Sequence, residues 1–263
     1  VLTWLPPMPV ERERLALNVT ADSEFELARF DRAEAAYARL QPLVPPGDKA
    51  REAIDERIAA SIYKQAEAKQ AAGDANGAVD DFLRIASSAP HASIRVNAEY
   101  DAGALLLREK QWPRAIEVLE AFRRDHGTHA LAADIPRRLA GAYIEAGRPL
   151  EAAVELERIS DTATESAEAR RLALEQAADL NEKGGHPERA AVNWANFVQR
   201  YPEPVAPAIE ARQKLADFAA LSHDAAGRQR WLEAIVAADA TAGSGRTDRT
   251  RYLAAWASLE LAA

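Results

Sequence analysis

The feature that most constrains this chain is an internal repeat. Two blocks align almost residue for residue, Gly73, Ala78, Phe82, Pro90 and Gly185, Ala190, Trp194, Pro202, both with steps of 5, 4 and 8. A fixed period of roughly 20–50 residues dictates an array, because each repeat can bury its apolar face only against its neighbours. Looser copies share the frame: Ala28, Ala33, Tyr37, Pro45, then Lys110, Ala115, Leu119, Gly127, then Gly147, Ala152, Leu156, and last Ser222, Gly227, Trp231. With the central small residue as marker, Ala33, Ala78, Ala115, Ala152, Ala190 and Gly227 are separated by 45, 37, 37, 38 and 37 residues.

Each block reads as two helices, since apolar residues recur at three- and four-residue spacing and the breakers fall at helix ends. Gly73-Asp74, Gly147-Arg148-Pro149 and Gly184-Gly185-His186-Pro187 mark turns within blocks. Pro113, Pro149 and Pro187 open second helices, where the N–H that proline lacks has no partner anyway. Twelve residues before each marker stands another small residue, Ala21, Ala66, Gly103, Ala140 and Ala178, a series that Leu215 breaks. The large residue four after the marker, Tyr37, Phe82, Leu119, Leu156, Trp194 or Trp231, is expected to fill the space between neighbouring blocks. In the wider first spacing, Pro42, Pro45, Pro46 and Gly47 precede Asp48. That residue can cap a helix reaching about Ala72, long enough to protrude or carry extra contacts.

This combination resembles the tetratricopeptide repeat family over residues 11–240, as a variant whose period exceeds the family's ~34 residues and which lacks most of the Trp and Leu of the usual first-helix opening. Asn196-Phe197-Val198-Gln199-Arg200-Tyr201-Pro202, followed by Ala208, Ala211 and Leu215, is similar to a phrase in bacterial cell-envelope members, the outer-membrane-assembly lipoproteins and the Tol–Pal coordinator. The resemblance implies an all-α superhelical solenoid of about six helix-turn-helix repeats plus a C-terminal helix. The organisation is then an irregular segment 1–10, a solenoid 11–240, and a loop with a terminal helix over 241–263. The next marker would fall at position 264, so the chain is expected to be a segment of a longer array.

In the family the first helices of the pairs line a concave groove that holds protein or peptide. Carried onto this frame, groove positions are Asn18, Asp22, Tyr63, Glu67, Tyr100, Arg137, Gly141, Glu175, Asp179 and Arg212. Tyr63 and Tyr100 would form an aromatic shelf, with Arg108 and Arg137 fixing the charge of the guest; tyrosine offers contact area and a polar tip. Ala104 stands where the chaperone-tail clamp of that family keeps a polar residue, which argues against that specificity.

Composition narrows the rest. Lys+Arg 33 against Asp+Glu 41 gives a net charge of -8, which disfavours nucleic acid, bound through basic clusters, and permits a basic target. No apolar run approaches the ~18 residues of a membrane span, so any tether would be a lipid or signal anchor outside this chain. There are no cysteines. No phosphate-binding glycine loop, zinc-protease helix or nucleophile elbow occurs, and the reading assigns no catalytic residue, metal or cofactor. His126 and His129 with Asp125 imitate a metal pair, but Gly127 between them reads as a solvated turn. Asp80, Asp81, Glu155 and Glu157 read as exposed helix faces, Trp194, Trp231 and Trp112 as core, and Trp4 as free for a partner.

The expected function is a non-catalytic protein-interaction scaffold, periplasmic or tethered on the periplasmic side of a membrane, and otherwise cytoplasmic. The alternative is a regulatory or sensor module that controls an enzyme or transcription domain of a larger protein.

Overall fold

The computed structural model describes residues 9–262, which form thirteen α-helices and no strand; Trp4 and most of the 1–10 segment lie outside the described residues. Two compact units result, Val1–Ala133 and Asp134–Ala263. The first holds α1 (Val10–Glu26), α2 (Phe30–Leu40), α3 (Lys49–Ala71), α4 (Ala75–Ser88), α5 (Arg95–Arg108) and α6 (Trp112–Asp125). The second holds α7 (Ile135–Glu145), α8 (Pro149–Asp161), α9 (Ala167–Lys183), α10 (Pro187–Arg200), α11 (Val205–Leu221), α12 (Ala225–Thr241) and α13 (Asp248–Ala262). Within each unit, every helix packs against the next one in the chain, as a repeat array requires.

The turn inside each pair follows one recipe. The chain leaves the first helix through a single left-handed residue: Ala28, Gly73 and Lys110 in the first unit, Gly147, Gly185 and His223 in the second. At Gly73 the φ is +84°, and the N–H groups of Gly73 and Asp74 return to the carbonyls of Gln70 and Lys69 at 3.1 and 2.9 Å. This closes the orphan carbonyls of the helix end, and glycine suits the position because it has no Cβ to clash.

The left-handed residue lies five before the marker in the first five pairs. In the sixth it is His223, four before Gly227. The capping carboxylates agree: Asp74 accepts from the Gly77 N–H at 2.9 Å and Asp224 from the Gly227 N–H at 2.8 Å, so Gly227 corresponds to Gly77 and Arg228 to the marker Ala78. The frame of the last pair therefore runs one residue later than the sequence pattern suggests. Ala216, fully buried, takes the small position that Leu215 seemed to break, and Leu232, 2% exposed, takes the large position assigned to Trp231. Trp231 is only partly buried beside it.

The small residues do bring the paired helices close. A Cβ added to Gly103 on α5 would meet the Leu119 Cδ2 of α6 at 2.6 Å. Leu119 thus packs onto the small residue of its own pair, where the expectation named the space between blocks. Trp194 does both, sharing a cluster with Ala178 of its own pair and with Ala211 and Leu215 of the next.

Helix α3 has 23 residues, about 35 Å at ~1.5 Å per residue, and carries extra contacts at its start. The Asp48 carboxylate caps the Ala50 N–H at 2.9 Å. Arg51 donates to the carbonyls of Gln41 and Val44, both at 3.0 Å, and Glu56 accepts from the Ser93 N–H at 2.7 Å.

Three polar assignments are overturned. Asp81 and Glu155 are buried, 4% and 3% exposed, because their helical positions turn toward the packed side. Asp81 pairs there with Lys69 at 2.6 Å and Arg84 at 2.8 Å, while Glu155 lies 3.7 Å from Arg158. His126 is not solvated: its ring rests on Phe122 with centroids 5.1 Å apart, and its Nε2 lies 2.7 Å from Glu99.

Candidate functional site

Two clefts open between successive first helices of the first unit. The larger, about 500 Å³, lies between α1 and α3; Tyr37, Leu40 and Val44 form its floor, and Asn18, Asp22, Arg14 and Arg57 supply its polar groups. Asp22 is the hub, accepting from Asn18 Nδ2 at 2.9 Å and from the Tyr37 hydroxyl at 2.5 Å. The early turns of α3, beyond the length of an ordinary repeat helix, wall this cleft through Ala50, Ala53 and Ile54.

The second cleft, about 370 Å³, lies between α3 and α5 and brings together three residues that the sequence frame singled out, Tyr63, Glu67 and Arg108. Phe82 of α4 is its floor, and the Tyr63 ring meets Phe82 edge-on at 5.0 Å. The Tyr63 hydroxyl donates to Asp101 Oδ2 at 2.5 Å, tying α3 to α5. Burial, the bond to Asp101 and the charges of Asp101 and Glu67 all push the phenol well above its ordinary value, so it stays protonated as a donor. Glu67 is exposed and pairs with Lys64 at 2.6 Å; Arg108 is exposed and touches Glu109 at 3.2 Å. Both pairs are near-neighbours on a wet surface, where such contacts are weak, so either charge is free to exchange its partner for a guest.

Tyr100 does not join this cleft. Its ring packs edge-on against Phe122 at 5.8 Å, within the α5–α6 pair. Asp101, the neighbour of Tyr100 in sequence, is the cleft residue that periodicity missed; nothing but the facing Tyr63 marks it out.

The remaining expected groove residues belong to the second unit. Arg137 of α7 donates to Glu165 at 2.8 Å. On α9, Glu175 is half-buried and lies 3.3 Å from Arg171, and Asp179 lies 3.4 Å from Lys214 of α11. Lys214 also reaches Glu182 at 2.7 Å and sits 5.3 Å from the Trp194 ring centroid, so it bridges Asp179 and Glu182 of α9 to α11. Arg212 does not fit the groove assignment. With the frame of the last pair moved by one, it corresponds to the buried Leu174 of α9, and Gln213 takes the position of Glu175. Arg212 is partly buried with Nη1 fully covered and unbonded, and burial alone depresses its pKa.

Among the described residues no cluster of histidine and carboxylate side chains could hold a metal ion, and no helix is long and apolar enough to cross a membrane.

No family model matches the chain, and no curated protein does. Among solved structures, it is similar to a chain of Naa15/Naa10 bound to HypK-THB, at 11% identity and a TM-score of 0.46, over 88% of this chain and 39% of that one. The chain thus spans about two fifths of the length of that relative. It is also similar to a tetratricopeptide repeat protein from Parabacteroides merdae ATCC 43184, at 12% identity and a TM-score of 0.32, over 94% of this chain and 99% of that one. Likeness this loose decides nothing, and the weight rests on the chain's own frame. Consecutive helix pairs, left-handed turn residues and fully buried small markers at Ala33, Ala78, Ala115, Ala152 and Ala190 make this an all-α array of repeated helix pairs.

Proposed function

We propose that the chain is a non-catalytic scaffold that captures an extended or helical segment of another protein along the first helices of its first unit. The observation that supports this most is the α3–α5 cleft, where an apolar floor, a phenol fixed by its bond to Asp101 and two exposed charges of opposite sign, Glu67 and Arg108, converge. An apolar pocket with a few placed polar groups is the usual form of a binding site. The phrase from Asn196 to Pro202 supports a place in the bacterial cell envelope, to be checked by fractionating cells and blotting periplasm against cytosol.

Reversing both charges, Glu67→Lys with Arg108→Glu, tests the reading without touching the core. Cross-linked partners recovered from native extract should fall by at least about tenfold, as expected when rim charges become repulsive, with far-UV dichroism and melting temperature unchanged. Undiminished recovery would refute the α3–α5 cleft as the capture surface.

A further inference from the structure

The one-residue displacement of the last frame goes with a crevice beside the last pair. Because Leu232 fills the buried position, Trp231 is turned to the edge, and its ring lines an opening of about 440 Å³ between the starts of α10 and α12 and the end of α11. The walls are apolar: Ala191, Leu215, Phe218 and Trp231. At the lip stands Leu221, 77% exposed. A leucine held in water beside an apolar opening is stabilised when a guest covers it.

The charge of this crevice sets it apart. Both clefts of the first unit include arginine, whereas the charged groups lining this one are carboxylates only, Glu188 and Asp224. Asp224 spends one oxygen on the Gly227 N–H. Glu188 is exposed at the start of α10 and forms no ion pair or hydrogen bond among the described residues. An apolar slot with an unpaired acidic rim repels anionic guests and selects a cationic one, since opposed charges at a rim govern choice of partner.

We propose that this crevice is a second docking site, one that takes a large apolar side chain flanked by lysine or arginine on a segment of a partner protein. It does not depend on the α3–α5 cleft.

The test is fluorescence anisotropy on the full chain with three labelled hexapeptides sharing a central Phe-Leu, flanked on both sides by lysine, serine or glutamate. The lysine peptide should bind at least about tenfold more tightly than the glutamate peptide, with serine between them, and Glu188→Gln should weaken the lysine peptide about threefold while sparing the serine one. Ala191→Trp, which fills the slot, and Leu221→Asp, which changes only the exposed lip, should each reduce binding of the lysine peptide about tenfold or more. The Glu67→Lys, Arg108→Glu protein should bind as wild type, which separates this site from the first-unit cleft. Equal binding of the lysine and glutamate peptides, unaltered binding by the Leu221→Asp protein, or no binding of the lysine peptide at millimolar concentration would each overturn the proposal.

Discussion

On α9, Glu175 shows how a single side chain sets a local balance. Burial pushes its carboxyl above the ordinary range; Arg171 pulls the other way, and Asp179, Glu210 and Glu168 add to the rise. A carboxyl raised in the folded state favours the protonated form, so its charge costs stability at neutral pH, and that cost fades as pH falls through the raised folded value and is gone below the unfolded value of about 4.3. Glu175→Gln is therefore expected to raise the melting temperature by a degree or so at pH 7, and to make no difference near pH 4. Melting curves at the two pH values check this, and a destabilised variant at pH 7 would contradict it. At this scale the sequence told little. That Asp81 and Glu155 are buried, that His126 faces Glu99, and that Arg212 lies under its neighbours depend on the direction of each side chain against a facing helix, which spacing along one helix does not contain. That Tyr63, Glu67 and Arg108 line one cleft was legible because they lie near the buried small residues Ala66 and Gly103, which fix the way each helix faces.

The turn between paired helices is the element that recurs most faithfully. Asp74 and Asp224 each cap the N–H three residues on, at Gly77 and Gly227, and the glycine there leaves room for the carboxylate: an added Cβ would stand 2.2 and 2.0 Å from the carboxylate oxygens. Asp224→Ala should cost ~0.5–2 kcal/mol through loss of the cap, and Asp224→Asn far less because asparagine caps nearly as well; urea titration of both variants measures the difference. Helix pairs, proline-opened second helices and the long α3 after Asp48 were all readable, since breakers and caps act locally. The frame of the last pair was not. Gly227 is buried like the small markers of the other pairs, and only the turn geometry at His223 and Asp224 shows that it stands one residue early, at the capped helix start.

At the scale of the whole molecule, apolar burial is spread along the chain rather than gathered in one centre. Tyr37, Ile62, Phe82 and Leu106 belong to one cluster in the first unit, while Trp194 with Phe197, and Leu232 with Leu253, anchor separate clusters in the second. The array itself was legible from the repeat period; the division into Val1–Ala133 and Asp134–Ala263 was not, because the markers continue across it at the same interval. Packing between successive helices has a consequence for the speed of assembly. Apart from α11 with α13, the substantially packed helices within a unit are chain neighbours, so few contacts wait on closing a long loop. Proteins built this way fold within about microseconds to milliseconds, ahead of sheets that must first join distant strands. Stopped-flow dilution from urea should accordingly show most of the helical signal returning within about milliseconds, and a dominant phase of seconds would mean that the rate is set elsewhere than in the pairing of neighbouring helices.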